Sequence, residues 1–167
     1  MKDEAKKRLK QILGAYDDKL AEIERRDADL RAAKAAFPER FAALKKDILL
    51  PVLEELAKEL NASGHEATAH EQEESSTTAG GVASAAIWLR VVPKPFVQRK
   101  TESKESFIQI AFSANRNERK IVVSSTTTII NAGGTVGKRG EYDIEALTAD
   151  VVVDHVLQAL EKAFAGE

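Results

Sequence analysis

The sequence predicts an α+β protein. An N-terminal long-helix hairpin, a coiled-coil-like arm, is followed by an antiparallel sheet of about four strands covered by a C-terminal helix. Three observations favour this class. Apolar residues recur at helical spacing up to residue 60, β-branched and alternating runs follow, and the chain closes on a second helical pattern. We therefore expect a helical arm at residues 1–63 and a small α+β domain at residues 64–167.

An apolar seam predicts a long amphipathic first helix, from Asp3 to Phe37. The seam residues follow alternating spacings of four and three: Leu9, Leu13, Tyr16, Leu20, Ile23, Leu30 and Phe37. Asp27 and Lys34 occupy two further seam positions. They either fix the register in which two helices pair or mark a part of the helix face that remains exposed to solvent. A helix of this length does not bury its seam against itself, so we expect a hairpin partner or a second subunit to cover it.

Two prolines divide the predicted helices. We expect Pro38 to end the first helix, because proline disfavours the helical conformation of the residue before it. A second apolar stripe follows, and Pro51 is expected to kink it or to split it into helices at 39–49 and 51–61. Gly64 is a suitable C-terminal cap.

The remaining residues predict a sheet and a closing helix. Strands are expected at residues 65–71, 87–92, 107–112 and 120–130. Thr148 is expected to cap the closing helix. Its sheet-facing side should carry Val152, Val156, Leu160 and Phe164.

The glycine-rich stretch at residues 133–140 resembles a phosphate-binding loop only in composition. Glycines expose backbone amides, and Lys138 and Arg139 would add positive charge. The Gly-Lys-Ser/Thr ending at the required spacing is missing, however, and acidic residues follow instead of a helix start. We therefore interpret this stretch as a hairpin tip with solvated charges.

Composition excludes several classes of function. The chain has no cysteine, which removes disulfides, thiolate metal sites and cysteine nucleophiles. No apolar stretch reaches the length of a membrane span, and the first residues lack the pattern of a secretory signal. We expect a cytoplasmic protein without a membrane partner.

No group of residues predicts catalysis, a cofactor or a metal site. His65 and His70 lie near a predicted edge strand, and at this spacing their side chains point to opposite faces. His155 is interpreted as a residue at the margin of an apolar face. No nucleophile motif is present, so we expect a protein that is not an enzyme.

Charge is distributed unevenly along the chain. Residues 88–140 carry ten Lys and Arg against three acids, and residues 141–167 carry one Lys against seven acids. A basic segment of this kind either contacts phosphate backbones or faces acidic groups of the same chain or of a partner. The candidate phosphate-contacting residues are Arg116, Arg119, Lys120, Lys138 and Arg139.

Two hypotheses of function follow. The first is a non-enzymatic oligomerisation or adaptor protein, whose helical arm binds a second copy or another protein and whose α+β domain presents a binding surface. The second is a nucleic-acid-associated protein that binds phosphate backbones through residues 88–140.

Overall fold

The computed structural model describes residues 2–99, 106–129 and 133–165. The chain forms two compact units, Met1–Ala36 and Phe37–Glu167. Helix α1 covers Asp3–Leu44, a π-helical turn covers Lys45–Leu49, and helix α2 covers Leu50–Ala62. The boundary between the units therefore lies before the second helix, whereas the sequence placed it at residue 63. Helical residues from Phe37 onward share a core with the sheet.

The prediction that Pro38 ends the first helix was wrong, because α1 continues through it. Phe37 and Phe41 lie on either side of Pro38 and are both buried, so packing of their rings outweighs the hydrogen bond that proline removes. The predicted split into helices at 39–49 and 51–61 is not seen, because helical structure continues through Pro51. Pro51 lies in the first turn of α2, directly after the π-helical turn. The helices follow one another without a reversing loop, so a helical hairpin is not confirmed.

The second unit contains a five-stranded antiparallel sheet in the order β1-β4-β5-β6-β7. Its strands are β1 at Glu66–Gln72, β4 at Ala86–Val92, β5 at Phe107–Asn115, β6 at Lys120–Ile129 and β7 at Gly133–Tyr142. A two-stranded ribbon of β2, Ser75–Ser76, and β3, Val82–Ala83, extends the connection between β1 and β4. Antiparallel pairing and the position of β1 at one edge of the sheet are confirmed.

Strand β7 corrects the interpretation of the glycine-rich stretch as a hairpin tip. Its residues pair with β6 from Gly133 opposite Ile129 to Tyr142 opposite Ile121. The pairing shifts by one residue between Val123 and Ser124, which is the position of a β-bulge. Pairing with the β-branched strand β6 therefore outweighs the low strand preference of glycine.

Helices α2 and α3 lie on one face of the sheet. Helix α3 covers Ala149–Phe164, and the side chain of Thr148 caps it by accepting a hydrogen bond from the Val151 N–H at 3.4 Å. The core beneath the helices is aliphatic with two phenylalanines from α1 and one from β5. Its largest fully buried members include Phe41, Leu49, Leu53, Ile87, Leu89, Ile108, Ile110, Phe112, Ile121 and Leu147. None of the helices in the described part of the chain is long and apolar enough to cross a membrane.

Candidate functional site

The first unit exposes a row of large apolar side chains along α1. Their exposed fractions are 46% for Leu9, 58% for Ile12, 52% for Leu13, 58% for Tyr16, 40% for Leu20, 46% for Ile23 and 41% for Leu30. Single exposed apolar residues are ordinary on protein surfaces, but a row of them at helical spacing, interrupted here only at Asp27, is typical of an interaction surface. We call these seven residues the α1 seam.

The α1 seam differs from the predicted seam in two residues, Phe37 and Ile12. Phe37 is only 2% exposed and belongs to the core of the second unit, so it does not lie on the open surface. Ile12 was missed by the sequence analysis. It lies beside Leu13 and one turn from Tyr16, and an apolar residue directly before a seam position was the signal that could have found it.

The five candidate phosphate-contacting residues do not form one free basic surface. Three of them are paired with acids of the same unit: Arg116 with Glu74 at 3.1 Å, Lys120 with Asp143 at 2.8 Å and Lys138 with Glu141 at 2.7 Å. Arg119 is exposed in the turn between β5 and β6 and has a positive φ of 54°. The ion pairs favour the interpretation that much of the basic segment faces acidic groups of its own chain.

Arg139 lies at the bulge between β6 and β7, and its side chain is on the face of the sheet that the helices cover. Its Nη1 donates to Ser125 Oγ at 3.4 Å, and its positive charge acts on His155 of α3. The Tyr142 hydroxyl and His155 Nε2 form a hydrogen bond of 2.6 Å, with the two rings edge to face. Burial lowers the pKa of His155 below its usual value, Arg139 lowers it further, and Asp154 opposes both effects. Burial and Arg139 therefore both favour the neutral form of the His155 imidazole on the sheet-facing side of α3.

The side of the sheet opposite the helices remains partly open to solvent. Alternation along the strands places Trp88 and Arg90 on this side, whereas their neighbour Leu89 is fully buried. We call this surface the outer sheet face. Its central residues are Thr68 and His70 on β1, Trp88 and Arg90 on β4, Phe107 and Gln109 on β5, Ser124 and Thr126 on β6, and Lys138 on β7.

Two ring contacts organise the outer sheet face. His70 lies directly opposite Trp88 in the β1–β4 pairing, and their rings stack with centroids 5.6 Å apart. The Arg90 guanidinium lies over the Phe107 ring, 4.1 Å from its centroid, as in a cation–π contact. A groove of about 510 Å³ is lined by His70, Trp88 and Arg90, together with Glu66, Thr68, Val92 and Gln109. The groove thus offers two aromatic rings, one cation, one carboxylate and uncharged polar groups.

The histidines considered as metal ligands are engaged elsewhere in the fold. His65 stacks on Phe164 with ring centroids 5.2 Å apart, and its Nδ1 accepts the backbone N–H of Lys94 at 3.0 Å. His70 lies on the outer sheet face, so the two imidazoles do face opposite sides of the sheet. Within residues 2–99, 106–129 and 133–165, no group of three or more His, Asp or Glu side chains is arranged to hold a metal ion.

Lys45 is a buried cation that sequence reasoning missed. Its side chain is only 3% exposed, and its ammonium pairs with Glu73 at 2.7 Å and with Glu71 at 3.9 Å. Lys45 lies in the π-helical turn, and both glutamates belong to the end of β1 or the residue after it. The ion pair therefore connects the helical part of the second unit to its edge strand.

Comparison of the chain with protein-family models, with curated proteins and with solved structures found no match.

Proposed function

We propose that the protein is a non-enzymatic assembly or adaptor protein. The α1 seam docks on another helix, either of a second copy or of a partner protein, and the α+β unit presents a further binding surface. One observation carries the proposal. Seven large apolar side chains at helical spacing are each 40% or more exposed on the first unit. Covering such a row with a second helix removes it from water without any change in backbone conformation.

The proposal is tested with a seam variant and a matched control. L13D/L20D places two carboxylates in the α1 seam, whereas A28D/A32D adds the same two charges to exposed positions outside it. The wild-type protein and each variant are compared by sedimentation over a range of concentrations and by capture of bound proteins from lysate of the native host. Where the wild-type protein shows self-association or binds another protein, we expect L13D/L20D to lose that interaction and A28D/A32D to keep it.

The control variant distinguishes the effect of charge within the α1 seam from the general effect of two added acidic residues. Equal sedimentation and equal captured proteins for all three forms would contradict the proposal. Circular dichroism of each variant checks that α1 is retained, because two aspartates at exposed positions should lower helix content only slightly.

A second candidate function is binding of single-stranded nucleic acid on the outer sheet face. Stacked rings beside a cation favour it, because bases stack on aromatic side chains and phosphates are attracted by arginine and lysine. The Trp88–His70 pair and the Arg90–Phe107 contact provide those elements on adjacent strands. Lys138 lies on the same face, on the third strand from that of Trp88.

Trp88 is the only tryptophan of the chain, so its fluorescence reports directly on this face. Single-stranded oligothymidine at low salt should quench it, and the affinity should fall as salt is raised. Dextran sulfate serves as the anionic control because it has no bases to stack. Quenching by both polymers, or by neither, would contradict base stacking at this face. K138A and R116A/R119A then show which cations contribute.

A further inference from the structure

We propose that the occupant of the α1 seam is a second copy of this chain, bound antiparallel, with Leu9 of one copy opposite Leu20 of the other. The inference rests on the proposed function and specifies its partner. It is argued from the exposed residues of the first unit and from the charges that lie in and beside the α1 seam.

A parallel, in-register pair places identical seam residues against each other. Leu13 and Leu20 would meet their equivalents, but so would Lys6, Asp27 and Lys34, which occupy the same heptad position. Three layers of like charges would then lie in one short interface. Beside the seam, Arg26 would also face Arg31 of the second copy. Like charges this close are unfavourable, so the charge pattern opposes the parallel arrangement.

The antiparallel register joins apolar residues to apolar residues. With Leu9 opposite Leu20, Leu13 lies opposite Tyr16, and two-fold symmetry repeats both layers. These four residues are 46%, 40%, 52% and 58% exposed, respectively, so the two layers cover four of the seven residues of the α1 seam. Ile23 meets the aliphatic part of Lys6, whose ammonium reaches solvent.

At the margins of this register, two contacts join opposite charges, whereas Asp3 of one copy lies beside Glu24 of the other as a like-charge pair. Lys10 of one copy lies beside Asp17 of the other, twice by symmetry, and Asp27 meets Lys2. All four side chains are exposed on the first unit. The symmetry axis passes between Gly14 and Ala15, and residues 2–27 overlap over about 39 Å at 1.5 Å per residue. The seam is therefore covered along its most continuous stretch.

Disulfide trapping tests orientation and register together, because the chain has no native cysteine. L9C and L20C are made as separate full-length proteins, mixed and oxidised. The mixed L9C–L20C product should form at least about a hundredfold faster than by free collision, since pairing holds the thiols at an effective concentration near millimolar. L20C alone should dimerise slowly. A28C, which lies outside the seam, sets the background rate.

Charge reversal gives a second measurement that leaves every leucine in place. K10D turns both Lys10–Asp17 pairs repulsive and should weaken the dimer about fivefold to tenfold, whereas K10D/D17K should restore it. In a parallel pair, Lys10 faces Ala5 and Asp17 faces Ile12, so the second change would not rescue the first. Rescue supports the antiparallel register.

Three outcomes would overturn the inference. They are rapid crosslinking of L20C to itself, absence of rescue in K10D/D17K, and a monomeric wild-type protein at all concentrations. A monomer would leave the proposed function open to support from seam-dependent capture of another protein. Equal capture by wild type and L13D/L20D would remove the proposed function as well.

Discussion

The side chain of Asn61 forms two hydrogen bonds with the backbone of Ala67. Its Nδ2 donates to the Ala67 carbonyl at 2.9 Å, and its Oδ1 accepts the Ala67 N–H at 2.9 Å. Asn61 lies near the end of α2, and Ala67 is the second residue of the edge strand β1. Gly64, with a φ of 90°, makes the turn between them. The Asn61 side chain thus makes the two hydrogen bonds to Ala67 that a neighbouring strand would otherwise make at this edge of the sheet.

Asn61→Ala should lower the free energy of unfolding by about 1 to 2 kcal/mol, since two hydrogen bonds are lost at a partly buried edge. Urea denaturation measures the change. Asn117→Ala is the control, because Asn117 is exposed in the turn between β5 and β6. An equal effect of both variants would mean that the bonds to Ala67 contribute nothing specific.

Stability should fall as the pH drops through the ordinary pKa of histidine, and His155 should be responsible. Burial lowers the pKa of His155 in the folded state, so below about pH 6.5 the unfolded chain binds the proton first. The contribution is present above that pH and is lost progressively below it. Thermal unfolding between about pH 7.5 and pH 5.5 should show a smaller slope for H155Q than for wild type.

His70→Gln is the matched control for the pH experiment, since His70 is exposed on the outer sheet face. Its slope should stay close to that of the wild-type protein. A slope that vanishes in H70Q and persists in H155Q would refute the assignment to His155.

Gly140→Ala should destabilise the protein because no space exists for a methyl group. A Cβ at this position would lie 2.8 Å from Tyr142 Cε2, and Tyr142 is held by its hydrogen bond to His155. Overpacking of this kind costs about 1 to 3 kcal/mol. Gly137→Ala, on the same strand, meets no atom within 4 Å and should be tolerated. Chemical denaturation of the two variants gives the comparison, and similar midpoints would contradict the prediction.

The contribution of Lys45 to the free energy of unfolding should depend on its ion pairs with Glu71 and Glu73. E71Q/E73Q leaves a buried ammonium without its carboxylates and should lower the free energy of unfolding by about 1 to 3 kcal/mol. In a Lys45→Met background the same double change should have little effect, because methionine fills the site without a charge. Denaturation of the four proteins measures the coupling. Additive effects would show that the ion pair is not the cause.

The sequence alone predicted the elements whose pattern depends on neighbouring residues. The periodic leucines and isoleucines of α1, the alternation of Ile108, Ile110 and Phe112 on β5, and the Thr148 cap of α3 all appear in the structure. These signals are local, because one face of a helix or strand is buried and the other is not. The exposed seam was predicted in the same way, because the spacing of its apolar residues indicated a helix face that the helix itself does not bury.

Other features were decided only by tertiary contacts. Pro38 is accommodated within α1 because Phe37 and Phe41 are buried in the core, and Phe37 leaves the seam for the same reason. The glycine-rich stretch becomes strand β7 because β6 offers it a paired edge, and Arg139 and His155 meet only through that pairing and the packing of α3. Local sequence determined which faces are apolar. Long-range packing decided which of them are covered, because burial against distant residues outweighs the local preferences of proline and glycine.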